Sequence, residues 1–328
     1  MTGIMINFRR LAVLPALLLL PLGAFAADPA LLQMVMPDSQ VVAGLQVTQA
    51  KSSLFGQYVL SHLSLNDTKL QEFTSQTGFN PTQDVSEIVI ASNWKPSTPA
   101  NRWLVLADGT FNVAKITAAA QAGGAVPSTY QGVNLLTHAA ATNTQVATAV
   151  AFFGGTMALA GDIASVKAAI DRKQSNAPAD SAVFAKAQQV SANNDFWFVT
   201  LVPLSNFSGA IPDSNLSGAM QGNLFAAINE ASGGIRFGDT VTISAEAVTR
   251  SDKDAQALVD VVKFFAGLVQ LNKQNNATAG QVATLLDSLQ ANASGNTTTI
   301  SLTIPELQLE QLLNSAQPHA RRAALRIN

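Results

Sequence analysis

The chain has 328 residues, of which 48% are hydrophobic and 12% are charged, and its formal net charge is −2. The charged fraction is about half of the usual ~25%, and this much apolar content can bury a sizeable core, which excludes a chain that is disordered throughout. The absence of cysteine excludes disulfides, thiolate metal sites and a cysteine nucleophile. The near balance of charges argues against a nucleic-acid-binding protein, which would show a basic footprint.

The first 26 residues have the pattern of a secretory signal peptide. Arg9 and Arg10 precede an apolar run, and Ala24 and Ala26 occupy the small-residue positions before a cleavage site. We therefore expect cleavage after Ala26 and export to the periplasm or the medium. The alternative is an uncleaved anchor, but the run is shorter than the ~20 residues that span a bilayer. No later stretch reaches that length without charges, so we expect no membrane-spanning segment after cleavage.

Hydrophobic periodicity and turn residues predict the elements of the first half of the chain. A short helix is expected near the start of the exported chain, followed by a strand and two helices. Paired strands and single helices then alternate. In chain order, the predicted elements are a helix over 28–38, a strand over 40–47, helices over 54–63 and 66–77, strands over 86–91 and 102–107, a helix over 112–122, strands over 131–137, 146–153 and 156–160, and a helix over 162–173.

The second half is predicted in the same way. The continuous apolar run at 196–202 is typical of a buried central strand. The longest helix, over 252–273, carries a wide apolar stripe that includes Phe265 and Leu268, and we expect this stripe to be covered on two sides. The other predicted elements are helices over 181–190, 216–228, 282–289 and 305–313, a hairpin of 235–237 with 240–249, and a strand over 297–304.

The strands come mostly in hairpins rather than in strict alternation with helices, which favours an α+β fold. We predict two similar layered domains of mostly antiparallel sheet with helices packed on one face. The polar, proline-containing segment 175–180 is the predicted linker between an N-terminal domain over 27–174 and a C-terminal domain over 181–316. Residues 317–328 form a predicted flexible basic tail. A faint echo between 104–115 and 157–167 is consistent with duplication, although such echoes also arise by chance in strand–helix units.

Three stretches together resemble a group of exported bacterial proteins of unknown function. They are 36–63 (MPDSQVVAGLQVTQAKSSLFGQYVLSHL), 104–136, which contains Gly109-Thr110-Phe111, and 159–170 (LAGDIASVKAAI). The resemblance covers most of residues 36–173 and fades beyond them. It implies an exported α+β protein. Because that group has no assigned reaction, it implies no catalytic residue.

Motifs that carry known chemistry are absent from the sequence. There is no G-x-S-x-G nucleophile elbow, no phosphate-binding P-loop and no H-E-x-x-H zinc motif. The three histidines, His62, His138 and His319, lie far apart in the sequence, whereas a zinc site needs at least three ligands. We therefore predict no catalytic, metal-binding or cofactor-binding residue and favour a protein that is not an enzyme. The alternative enzyme is a hydrolase that uses His138 or His62 with a serine and an acid.

Binding is the function that remains. Trp94 and Lys95 lie in a predicted loop, and an exposed tryptophan can anchor a partner. We predict that the chain is an exported, non-catalytic envelope protein that contacts an unknown envelope protein or polymer through Trp94 and Lys95. The alternative is a carrier of an apolar small ligand, held against the broad apolar face of the helix over 252–273. Asp84 and Glu87 could serve as the paired carboxylates of glycoside chemistry but are explained more simply as residues that flank the start of a strand.

Overall fold

The computed structural model describes residues 26–62, 68–94, 101–140, 146–176, 181–210, 225–274 and 277–312. Within them, twelve strands form one antiparallel sheet in the order β11-β12-β10-β9-β8-β1-β2-β3-β7-β6-β5-β4. The strands are β1 (Val41–Gln46), β2 (Val85–Ser92), β3 (Trp103–Gly109), β4 (Val126–Tyr130), β5 (Val133–His138), β6 (Thr148–Phe153), β7 (Met157–Asp162), β8 (Phe196–Thr200), β9 (Ile228–Arg236), β10 (Thr240–Thr249), β11 (Gln290–Ser294) and β12 (Thr297–Pro305).

Helices connect the hairpins of this sheet. They are α1 (Pro29–Met34), α2 (Val47–Ser52), α3 (Leu54–His62), α4 (Thr68–Thr77), α5 (Pro81–Asp84), α6 (Val113–Ala122), α7 (Ile163–Ser175), α8 (Ala182–Ser191), α9 (Asp252–Asn272) and α10 (Ala277–Leu285). Short 3₁₀ turns occur at Leu204–Ala210, Phe225–Ala227 and Leu286–Ser288, and a last helical segment covers 306–312.

Side-chain caps explain where several of these helices begin. The carboxylate of Asp162 accepts a hydrogen bond from the backbone N–H of Ser165 at 2.9 Å, which satisfies one of the free donors in the first turn of α7. The same type of bond is made by Asn112 at α6, Ser181 at α8 and Ser251 at α9. Gly78 follows α4 with a φ of +74°, a conformation that favours glycine at a helix end.

Helices cover both faces of the sheet, so the prediction that they pack on one face is wrong. One face packs against α1, α7 and α8 around a core that contains Val42, Leu104 and Trp197. The opposite face packs against α2, α3 and α6 around Val47 and Ile116. The physical reason is that β1 and β3 carry apolar residues at successive positions, and such strands expose apolar surface on both faces.

The sheet runs without interruption through both halves of the chain. Strand β1 lies between β2 and β8, with Val42 opposite Ala91 on one side and Val199 on the other. The main core likewise contains residues from before and after the predicted linker, of which 177–180 lie outside the described residues. The α+β class is therefore established with one antiparallel sheet, and the division into two similar domains stays a prediction.

Most of the predicted strands and helices are present within a few residues of their expected limits. The predicted buried strand over 196–202 is β8, which lies between β1 and β9 near the middle of the sheet. Strands β4 and β11 were not predicted. The predicted helix over 216–228 lies mostly outside the described residues, and its last residue, Ile228, is the first residue of β9. The signal peptide and the basic tail also lie outside them, apart from Ala26.

Candidate functional site

The second half of α9 exposes a stripe of large apolar side chains. The buried residues of this helix, Ala255, Leu258 and Val259, all lie in its first half. In the second half the exposed fractions are 62% for Phe264, 60% for Phe265, 39% for Leu268 and 79% for Leu271. At 100° per residue these four residues, which we call the α9 stripe, lie on one side of the helix. The prediction that the apolar side of this helix is covered on two sides is therefore wrong at Phe265 and Leu268, although Leu258 is buried.

Positive charge accompanies the α9 stripe. Lys263 and Lys273 are both exposed, and no aspartate or glutamate occurs between residues 261 and 274. The two phenyl rings of Phe264 and Phe265 lie 5.8 Å apart at 67°, the edge-to-face arrangement that aromatic rings favour. The stripe is thus an apolar surface flanked by cations, a combination that suits an apolar partner with anionic groups at its rim.

A groove lies at the other end of the sheet, between α6 and strands β4 to β6. Its volume is about 1040 Å³, and its lining includes Phe111, Val113, Leu136 and Phe152. Val113 and Phe152 are half-buried, whereas Phe111 and Leu136 are buried. Polar groups line the same groove at Ser128, Thr129 and Asn134. A groove with an apolar floor and a few polar groups is the usual form of a small-molecule site.

A second, smaller groove of about 310 Å³ is polar and lies beside α8. It contains an ion pair in which Nζ of Lys186 lies 2.5 Å from Oε1 of Glu246. Nearby, Ser244 donates a hydrogen bond to Oδ1 of Asn194, whose amide group donates to the carbonyl of Val190. These polar groups bond to one another, so the arrangement indicates a structural role.

Trp94 follows the end of β2, and its indole ring stacks on Phe207 with the ring centroids 5.3 Å apart. The ring is half-buried, and its Nε1 is buried without a hydrogen-bond partner among the described residues. Lys95 lies outside the described residues. The structure therefore places Trp94 against a neighbouring turn, and the contact surface of Trp94 and Lys95 stays a prediction.

The histidines do not come together with a serine and an acid in the described part of the chain. Nδ1 of His138 lies 3.2 Å from the carbonyl oxygen of Ala139, and Nε2 lies 3.3 Å from that of Gly123. The side chain of His62, at the end of α3, and the whole of His319 lie outside what the structure describes. The described residues also contain no group of three or more metal-ligating side chains.

Among the described acidic side chains, Glu87 has the pKa that departs most from its ordinary value. It lies on β2, is only 5% exposed, and accepts two hydrogen bonds from the backbone N–H of Asp28 at 3.1 and 3.2 Å. Burial raises the pKa of this carboxyl to about 7, against the lowering effect of the hydrogen bonds from Asp28 and Gln46. Asp84 belongs to α5, just before this strand, and its carboxylate accepts a bond from the N–H of Asn80 at 2.7 Å.

Comparison with known proteins gives a distant structural likeness. No family model matches the chain, and no curated protein is similar to it in sequence. The chain is similar to a solved structure of TP0453, a Treponema pallidum protein of uncertain function, with 11% identity and a TM-score of 0.45. The match covers 87% of this chain and 96% of that one. Similarity at this level carries no argument about activity or partners.

Among the described helices, none is both long and apolar enough to cross a membrane.

The sequence predicted the α9 helix and its apolar residues but not their exposure. It missed the importance of Glu87, because its partner Asp28 is 59 residues away in sequence. No local sequence pattern around Asp28 or Glu87 predicts that contact.

Proposed function

We propose that the chain is an exported protein of the bacterial envelope that acts by binding, and that the α9 stripe is its principal contact surface. Export follows from the signal-peptide pattern of residues 1–26. The observation that carries the binding role is the exposure of four large apolar side chains on one side of α9. Large contiguous apolar patches are uncommon on monomeric proteins and mark interaction surfaces.

The partner that best fits this surface is the boundary of an anionic lipid layer. Burying a Phe or Leu side chain contributes about 1.5–3 kcal/mol, so the stripe supplies most of the binding free energy. Lys263 and Lys273 add attraction to anionic headgroups, although Asp260 and Asp287, which bonds to Gln270 of this helix, partly oppose it. The helix lies along such a boundary rather than crossing it, because its first half is held in the protein by the buried residues Ala255, Leu258 and Val259.

Vesicle sedimentation tests this role with the processed full-length protein. The wild-type protein is expected to sediment with vesicles that contain phosphatidylglycerol and less with vesicles of phosphatidylcholine alone. The double variant Phe264→Ser, Leu271→Ser should bind at least about tenfold more weakly, since each 1.4 kcal/mol is a factor of ten.

The matched control is Leu307→Ser, which changes an equally exposed leucine outside the α9 stripe. This variant should bind like the wild type. Equal binding by the double variant would remove the stripe from the proposal. Failure of the wild type to bind either kind of vesicle would exclude the lipid boundary as the partner.

A second candidate function is the carriage of an apolar ligand, favoured by the groove between α6 and β4 to β6. The groove is large enough for a small molecule, and Leu136 and Phe152 supply apolar contacts. A native mass spectrum of protein purified from its own envelope tests this function. A small extra mass that disappears in Phe152→Ser would support carriage, whereas the bare chain mass would count against a tightly held ligand.

Trp94 and Lys95 stay in the proposal as a separate contact. The stacking of Trp94 on Phe207 fixes the ring at the residue that directly precedes Lys95 in the sequence. Trp94→Phe keeps a ring for that stacking, whereas Trp94→Ala removes it. If neither variant changes vesicle binding or cross-linking to envelope components, this contact should be dropped.

A further inference from the structure

Ala27 and Asp28 are packed into the fold near Glu87, to which the backbone N–H of Asp28 donates. Ala26 is exposed, whereas Ala27 is 1% exposed and belongs to the main core. The backbone nitrogen of Asp28 lies 3.2 Å from Oε1 and 3.1 Å from Oε2 of Glu87, so both carboxylate oxygens point at this nitrogen. The predicted cleavage site therefore adjoins the first buried residue in the described part of the chain.

The surroundings of Glu87 contain acidic groups and neutral donors. Across the sheet, Glu87 lies opposite Gln46 of β1 and Asp108 of β3. The charged side chains that act on it are those of Asp28 and Asp108, and both raise its pKa. On the far side of Gln46 lies Asp195, which is also buried. A buried carboxylate is costly unless it is paired with a cation, so this position favours a positive group close to Glu87.

We propose that removal of residues 1–26 creates an α-ammonium group on Ala27 and that this group forms a buried ion pair with Glu87. The inference rests on the proposed export and processing. Signal peptidase adds water across the Ala26–Ala27 peptide bond. The carbonyl carbon of Ala26 gains the hydroxyl and becomes a carboxylate, and the nitrogen of Ala27 keeps the electron pair and becomes an ammonium.

The reach of the new group fits the site. The nitrogen of Ala27 comes one residue before the nitrogen of Asp28, which already donates to both carboxylate oxygens of Glu87. An ammonium has three donors, whereas the amide of an uncut chain has one. Because Ala27 is buried in the folded protein, cleavage has to precede docking of this residue. Export processing then supplies the buried carboxylate of Glu87 with a cation in addition to releasing the chain.

The α-amine pKa of the processed protein tests the ion pair. The precursor is exported, the mature protein is purified, and its α-amine is labelled by ¹³C reductive methylation and titrated by NMR. An ordinary α-amine has a pKa of about 7.7–8.0. Pairing with Glu87 should raise this value by at least about one unit, and Glu87→Gln should return it to the ordinary range. The matched control Glu230→Gln, at an exposed glutamate, should leave it raised.

A second measurement keeps the test decisive if Glu87→Gln does not fold. A chain whose signal peptide is replaced by a short polar extension keeps the nitrogen of Ala27 as an amide. Its Tm should be at least about 2 °C below that of the processed chain, since 1 kcal/mol corresponds to about 2–4 °C in a protein of this size. Equal Tm values would overturn the ion pair.

The intact mass separates failure of this inference from failure of the proposed export. A mass equal to residues 27–328 with a raised α-amine pKa supports both. The same mass with an ordinary α-amine pKa overturns the ion pair alone. A mass that retains residues 1–26 overturns the processing on which the inference rests, and a chain that begins at Asp28 overturns the assignment of the ammonium to Ala27.

Discussion

The indole ring of Trp197 lies against the backbone of Gly44 on the neighbouring strand. The two residues are opposite each other where β8 pairs with β1, and Trp197 is fully buried. A Cβ atom added at Gly44 would lie 2.4 Å from Cε2 of the ring, well inside van der Waals contact. Only glycine fits at position 44, because the ring of Trp197 occupies the space that a side chain would need.

Gly44→Ala should reduce the free energy of unfolding by about 1–3 kcal/mol, because the added methyl group overpacks the core around Trp197. Denaturant unfolding followed by tryptophan fluorescence measures this change. Gly267→Ala is the matched control. Gly267 lies in the middle of α9 with open space around its Cα, so alanine should stabilise the helix by up to about 1 kcal/mol. Equal effects at the two sites would contradict the steric account.

Asp162 is the last residue of β7 and the N-cap of α7. It is 2% exposed, and its second carboxylate oxygen accepts a bond from the backbone N–H of Trp103 at 3.0 Å, in addition to capping the helix. Asp162→Ala should cost about 2 kcal/mol or more, because it removes both the cap of α7 and the acceptor of the Trp103 N–H. Asp162→Asn keeps one acceptor oxygen and should cost less.

The exposed cap of α6 is the comparison for Asp162. Asn112→Ala removes only the bond from the N–H of Lys115 and should cost about 1 kcal/mol. Thermal unfolding of the three variants gives the order. A cost for Asp162→Ala no larger than that for Asn112→Ala would show that the bond to Trp103 contributes little.

Glu87 should make the stability of the uncut chain depend on pH. Its pKa is raised by burial from an ordinary value of 4.5 to about 7. Between these values the folded state binds more protons than the unfolded state, so the free energy of unfolding falls as the pH rises from about 4.5 to 7. The fall amounts to about 3 kcal/mol at most, since one pKa unit corresponds to 1.36 kcal/mol.

Urea unfolding between pH 4.5 and 8 measures this dependence on the chain with the polar extension. Glu87→Gln should remove most of the fall. Part of the fall in the free energy of unfolding should remain in this variant, because burial also raises the pKa of Asp195. In the processed chain the fall should be reduced as well, because the ammonium of Ala27 holds Glu87 in its charged form. A profile unchanged by Glu87→Gln would show that other groups cause the pH dependence.

The two halves of α9 should respond differently to truncation. Leu258 is 7% exposed and packs against Ile228 and Ala231, so Leu258→Ala should cost about 2–5 kcal/mol. Phe264 is 62% exposed, and Phe264→Ala should change the stability by less than about 0.5 kcal/mol. Denaturant unfolding of both variants checks the difference. A large cost at Phe264 would indicate that the α9 stripe is covered and would weaken its role as a contact surface.

Two strands escaped sequence prediction for physical reasons. All of β4 except Tyr130 is exposed, and it contains Pro127, which usually argues against a strand. It is nevertheless an edge strand, where a proline is tolerated because one side of the backbone has no partner strand. Strand β11, at the other edge, consists of small and polar residues, and its alternating inward positions are only Ala291 and Ala293, a residue type that is depleted in strands.

The sequence by itself determined the local structure of this protein. Apolar periodicity, turn glycines and cap residues such as Asp162 predicted most helices and strands, because these features act between residues a few positions apart. Only the tertiary structure decided that helices cover both faces of one sheet, that the α9 stripe faces outward and that Asp28 lies over Glu87. Each of these depends on contacts between residues far apart in sequence, and no local pattern records which distant segment covers a given apolar or charged side chain.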